Sequence, residues 1–234
     1  MDELKVNGIV LNSADYKEND ILITIFTAEL GKIKAVLRGA KQPKAKFKFA
    51  GQPFCFAEWI LVKRGEFFVV TSVTSHDVFY DLTTDYDNFI VASFMIKLCD
   101  YILKPGMINE QLLVAFLQAL KAIVYDSVNA KLTYSKFMLE TLRLSGYGLN
   151  FKTCGVCGLP IAGDILLSSN TNDFCCVSCG GYGKQISRKC YNLLRIIDET
   201  PFSKLASIKE KPENLQLCVE ILRFDLQNVF GYRL

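Results

Sequence analysis

Two C-x2-C-Gly units, Cys154-Gly155-Val156-Cys157-Gly158 and Cys176-Val177-Ser178-Cys179-Gly180, stand 18 residues apart in a chain of 234. Two residues between thiolates let both sulfurs reach one tetrahedral ion, and the glycine after each second cysteine lets the backbone turn tightly beneath it. The spacing is that of a closed four-thiolate zinc site with Cys154, Cys157, Cys176 and Cys179 as ligands. Cys175 would need a C-x3-C bite to replace Cys176; only Cys176 repeats the first unit, so Cys175 is expected packed or free. Four protein ligands leave no open position for water or substrate, so the one Zn2+ expected here is structural. Two other readings compete: buried cysteines without metal, and a redox pair, which would call for a βαβ setting that this segment lacks.

The remaining composition narrows the class. Nine cysteines, an odd number and partly clustered, fit reduced thiols in a cytosol better than a disulfide framework. Cys55, Cys99, Cys190 and Cys218 sit among apolar neighbours and read as core residues. No charged-then-apolar leader opens the chain, and the longest apolar stretch, Phe89 to Leu103, is interrupted by Lys97 and Asp100, so a soluble protein without a membrane segment is expected. The single histidine, His76, has no H-x-E or HExxH context and reads as a barrel-edge residue. With no GxxxxGK[ST] loop, no GxGxxG after a strand and no GxSxG elbow, no catalytic residues can be named, and no enzyme is expected.

Up to about residue 80 the chain reads as five short strands: Lys5 to Leu11, Ile21 to Thr27, Lys32 to Arg38, Phe54 to Lys63 and Glu66 to Thr74. Turn signals at Glu29-Leu30-Gly31-Lys32 and Arg64-Gly65 fall where hairpins are needed, and the whole suggests a small barrel. After an acidic connector carrying Asp77, Asp81, Asp85 and Asp87 the period becomes helical, with Ile90, Phe94, Leu98 and Ile102 recurring every fourth residue until Pro105-Gly106. Further helices are expected after the cap Asn109, around Lys131 to Ser145 before Gly146, from Ser187 to Glu199 and from Glu213 to Phe230. Phe151 to Gly183 shows little periodicity. The expected class is α+β: an OB-fold β-barrel domain over residues 1–80, then an α-helical domain over 81–150. A zinc-binding segment at 151–183 is inserted before the C-terminal helices at 184–234.

The formal net charge is only +3, yet no acidic residue occurs between Leu30 and Glu58, where Lys32, Lys34, Arg38, Lys41, Lys44, Lys46 and Lys48 accumulate. Seven unopposed cations in so short a span repel one another and suit a polyanion. A five-stranded barrel of OB topology binds nucleic acid strands across one face with cations and aromatic rings. These seven are therefore the candidate DNA-binding residues. Phe47 and Phe49, interleaved with the lysines, either stack on bases or pack into the barrel rim. Lys63 and Arg64 flank a hairpin and extend the basic surface, while Trp59 lies in an apolar strand and reads as core.

The run Gly8-Ile9-Val10-Leu11, Asp15 to Asp20, Ile25-Phe26-Thr27, Leu30-Gly31-Lys32 and Arg38-Gly39-Ala40-Lys41 resembles the opening of the bacterial RecO family of recombination mediators. The resemblance continues through Lys44, Lys46, Phe47, Gln52-Pro53-Phe54, Gly146-Tyr147 and both cysteine units. It implies a cytoplasmic, nucleoid-associated protein of the RecF repair pathway that binds single- and double-stranded DNA and anneals complementary strands. It also implies contact with SSB, partnership with RecR and, indirectly, loading of RecA onto coated DNA. The competing class is a non-catalytic protein scaffold of a repair complex with little DNA affinity of its own.

Overall fold

The computed structural model describes residues 3–42 and 44–232, and these form two compact units. The first is built from the chain up to Thr84 together with Ile96–Val114; the second holds Asp85–Met95 and the chain from Ala115 onward.

In the first unit β1 (Glu3–Asp15), β2 (Ile21–Thr27), β3 (Gly31–Leu37), β4 (Phe56–Arg64) and β5 (Phe67–Asp77) close a barrel in the order β1-β2-β3-β5-β4. Only β3 and β5 run parallel; every other pairing is antiparallel, which gives the OB-like closure. Alternation sends Ile23, Ile25, Ile33, Ala35 and Leu37 inward with Val6, Val10, Leu61 and Val70. Trp59 is fully buried there, and its indole N–H donates to the Gly8 carbonyl at 2.9 Å. Any side chain at Gly8 would collide with the Phe26 carbonyl and its neighbours, so this strand crossing requires glycine. β1 and β5 end later than their sequence signals, at Asp15 and Asp77; the β1–β2 pairing shifts register between Val10 and Asn12, and the β4–β5 pairing shifts between Phe56 and Ala57 and again between Ile60 and Leu61. The shift in β1 reverses its facing: Val6 and Val10 point to the core, whereas Asn12 pairs with outward Thr24.

α1 (Tyr86–Ile102) and α2 (Glu110–Val124) follow an acidic stretch. Asp77 accepts from the Phe79 N–H, and Asp85 caps α1 by accepting from the Asn88 N–H. Asn109 caps α2 as its sequence suggested, accepting from the Leu112 N–H at 3.0 Å. The buried residues of α1 are Val91, Ala92, Met95, Ile96, Leu98 and Cys99, a broader stripe than Ile90, Phe94, Leu98 and Ile102. The turn after α1 lies along the start of β3: Lys32 bridges to Pro105, and the Gly106 N–H donates to the Lys32 carbonyl at 2.9 Å.

The second unit contains α3 (Ala130–Leu144), α4 (Arg188–Glu199) and α5 (Pro212–Phe230). Asn129 caps α3, Ser187 caps α4, and Gly231 ends α5 in the left-handed conformation that glycine adopts without a Cβ clash. Between α3 and α4, where the sequence shows no period, β6 (Ile165–Ser168), β7 (Asp173–Cys176) and β8 (Gly183–Ile186) form an antiparallel sheet in the order β7-β6-β8. Phe151, Phe174 and Tyr191 stack together with ring centroids 5.1–5.6 Å apart, and the Tyr191 hydroxyl donates to the Phe151 carbonyl, tying this sheet to α4. Among the described residues no helix is long and apolar enough to cross a membrane.

Candidate metal centre and nucleic-acid interface

The end of β7 and two tight turns bring four thiols together. The Sγ atoms of Cys154, Cys157, Cys176 and Cys179 all lie within 4.8 Å of one another. A tetrahedral ion with metal–sulfur bonds of about 2.3 Å requires sulfurs about 3.8 Å apart, so the cluster needs little adjustment to close on one cation. Each turn is held by its own backbone: the Gly158 N–H donates to the Cys154 carbonyl at 3.0 Å, and the Gly180 N–H to the Cys176 carbonyl at 2.9 Å. The two glycines serve different needs. Gly158 has φ +72°, whereas Gly180 is required for space, since a Cβ there would strike Leu166 and Cys175.

Strand alternation decides between the adjacent cysteines. Cys176 faces the cluster; Cys175 is fully buried beside the Thr171 hydroxyl at 3.5 Å and is not one of the four. Burial opposes ionisation of Cys154, but N–H groups of Cys157, Cys176 and Val156 point at it and outweigh burial, bringing its thiol down to about 6. Cys176 is pushed up to about 11 by desolvation and by the charges of Cys154 and Cys157. Four thiolates at this spacing repel one another, and a thiophilic cation removes that cost. His76 lies elsewhere: it is exposed near the end of β5, with its Nε2 3.0 Å from the Asn7 Oδ1.

The second candidate site is the outer face of the barrel. Across β1, β2 and β3 the outward rows are Asn12, Thr24 and Lys34, then Ala14, Leu22 and Val36, with Val69 of β5 beside Val36. This face floors a cleft of about 800 Å³. One wall is the β4–β5 hairpin with Lys63, Glu66, Phe67 and Phe68; the other is the Pro105-Gly106 turn. The Lys63 ammonium sits 4.4 Å from the Phe68 ring centroid, and Phe67 meets Tyr16 edge-on at 6.0 Å. The sequence pointed to Lys63 but not to these rings; the Phe67-Phe68 pair directly after the Gly65 turn was the available signal.

The seven cations fall into two groups. Lys34, Arg38, Lys44, Lys46 and Lys48 are exposed, and none makes an ion pair among the described residues. Lys46 lies 5.2 Å from the centroid of the Phe47 ring. Lys32 and Lys41 are engaged internally. Lys32 Nζ, with its side chain 16% exposed, bonds the Asp100 carboxylate at 3.1 Å and the Asp100 carbonyl. Lys41 pairs with Asp15 at 2.9 Å and reaches the Lys17 carbonyl at 3.4 Å. Of the two loop aromatics, Phe47 packs against the barrel core, while Phe49 is 38% exposed.

The chain thus belongs to the class of proteins that combine an OB-like barrel with a helical unit carrying a four-cysteine cluster able to hold a metal ion. Comparison with known proteins makes this specific. Residues 1–79 match the model for the recombination protein O N terminal, and residues 83–232 that for the recombination protein O C terminal. The chain therefore belongs to the RecO family of DNA repair proteins. It is 27% identical to the DNA repair protein RecO of Clostridium perfringens over 229 residues, covering 97% of this chain and 93% of that protein. It is 30% identical to that of Clostridium novyi over 199 residues, 84% of this chain and 77% of the relative.

Proposed function

We propose that the chain is a recombination mediator that holds DNA on the outer barrel face and anneals complementary strands. With RecR, it helps to load RecA onto strands coated by SSB. The observation that carries this reading is the group of five exposed cations, Lys34, Arg38, Lys44, Lys46 and Lys48, without an ion pair among the described residues, of which Lys34 lines the cleft floored by strand side chains. Phosphate contacts from these groups hold a strand without regard to sequence. Annealing needs this condition, because the base edges must stay free for the incoming complement. Lys32 and Lys41 help the site differently: paired with Asp100 and Asp15, they brace the start of β3 and the loop after it.

Cys154, Cys157, Cys176 and Cys179 would hold one Zn2+. A set of four thiolates in tetrahedral reach suits zinc, and bound there the ion would fasten the segment around β6, β7 and β8 without reacting. Action as a mediator involves no bond made or broken by the protein. Family membership supports a place in the bacterial cytoplasm at the nucleoid, with single- and double-stranded DNA, RecR and SSB as partners.

The test is the salt dependence of binding to a fluorescent single strand. Five phosphate contacts give a slope of log affinity against log salt near roughly −3.5, at roughly −0.7 per contact. Replacing Lys34, Arg38, Lys44 and Lys46 with Ala should flatten it toward about −0.7. A folded fourfold variant with the parent slope would place the DNA elsewhere.

A further inference from the structure

Two thiols that neither site uses face each other inside the second unit. Cys190 on α4 and Cys218 on α5 are 5% and 0% exposed, and their Sγ atoms are 3.7 Å apart. We infer that Cys190 and Cys218 form a reversible disulfide that locks α4 to α5 when the protein meets hydrogen peroxide.

The geometry favours bond formation. A disulfide needs sulfurs about 2.05 Å apart, so each would move by less than about 1 Å, within reach of side-chain rotation. The pair is also asymmetric. Cys190 is the third residue of α4, in the first turn after the Ser187 cap, where N–H groups and the helix dipole favour an anion. Its thiol lies below the usual range because Cys218 donates a hydrogen bond to it, an effect that outweighs burial, and Lys184 adds positive charge. Cys190 is thus the attacking sulfur and Cys218 the resolving one.

The chemistry balances with two thiols and one peroxide. The Cys190 thiolate attacks one peroxide oxygen, the O–O bond breaks, and the departing hydroxide takes a proton and leaves as water. Cys190 is then a sulfenic acid. The Cys218 sulfur attacks it, the S–O bond breaks, and the second water leaves with the Cys218 proton. Sulfur loses two electrons in total and the peroxide gains them. α4 follows directly from β8, so the bond would tie the sheet that carries Cys176 to the last helix.

The experiment uses the reduced, metal-loaded full chain treated with limiting hydrogen peroxide, blocked with N-ethylmaleimide, denatured and digested with trypsin. The expected product joins peptide Cys190–Arg195 to peptide Glu210–Arg223, two hydrogens lighter than their sum. It should appear before oxidation of the metal-site peptides, raise the melting temperature by a few degrees, and revert with dithiothreitol. In Cys218→Ala, Cys190 should stop at a sulfenic acid that dimedone traps; if that variant does not fold, the wild-type peptide map decides. Recovery of Cys190 as free thiol or sulfinic acid, or joined to a cysteine other than Cys218, would overturn the inference.

Discussion

Asp225, in α5, is 0% exposed, and neither carboxylate oxygen has a hydrogen-bond partner among the described residues. Burial, with a smaller contribution from Asp173, pushes its carboxyl up from 3.8 to about 7. Because the folded-state value is raised, the fold gains most when the group is protonated. That stability is fully present below about pH 4 and is lost as pH rises through about 7. Over the whole window the loss is about 4 kcal/mol, at about 1.4 kcal/mol for each pH unit between the unfolded and folded values; between pH 5 and pH 8 it is about 2.5 kcal/mol. Asp225→Asn keeps the shape and cannot ionise. The variant should match the parent to within about 1 kcal/mol near pH 4 and exceed it by about 3–4 kcal/mol at pH 8, with residual differences from the buried amide. Urea unfolding followed by far-ultraviolet circular dichroism at several pH values measures both proteins, and every titrating group they share cancels in the difference. A difference that stays constant from pH 5 to pH 8 would refute the reasoning and show that burial does not raise the Asp225 carboxyl in the folded state.

Three further outcomes are expected. Cys157→Ser should lower the metal content from one ion per chain and raise hydrogen exchange across residues 151–183, whereas Cys175→Ser should keep its metal, as elemental analysis would show; structural zinc contributes about 10–16 kcal/mol in finger peptides. Gly31→Ala should cost about 2 kcal/mol or more, since Gly31 has φ +65° and a Cβ would run into the Met107 backbone; the fluorescence of buried Trp59 reports barrel unfolding. Asn129→Ala should cost about 1 kcal/mol in thermal unfolding, because the Asn129 side chain accepts from both Lys131 and Leu132 N–H groups.

The parts of this fold that show in the sequence are those specified by neighbours in the chain. The five barrel strands show as short runs between turn signals, and helix ends at Asn109 and Gly146, because a turn or a cap needs only adjacent residues. β6, β7 and β8 have four residues each, too few for a period, and Ile165 to Ser168 is buried throughout. In α1 the mostly apolar surface left the buried face ambiguous, and its true stripe lies one position away from the four-residue repeat.

The candidate metal centre was legible because its chemistry is a spacing: the repeated C-x2-C-Gly unit singles out Cys176 over Cys175, and strand alternation in the structure agrees. The charge balance of the basic run was legible only in part, for the opposite reason. Its self-repulsion argument counts charges in a window of sequence, whereas charges act through space. The window from Leu30 to Glu58 holds no acid, yet Asp100, 68 residues beyond Lys32, and Asp15, before the window, supply the missing carboxylates. Pairing at 3.1 Å and 2.9 Å removes Lys32 and Lys41 from the unopposed set and leaves five cations whose repulsion a phosphate chain would relieve. A DNA strand competing for Lys32 would have to displace both a carboxylate and the carbonyl of Asp100, so its removal should loosen the barrel before it alters the salt slope. The two kinds of lysine thus differ in what they do when mutated, not in how they look in the sequence.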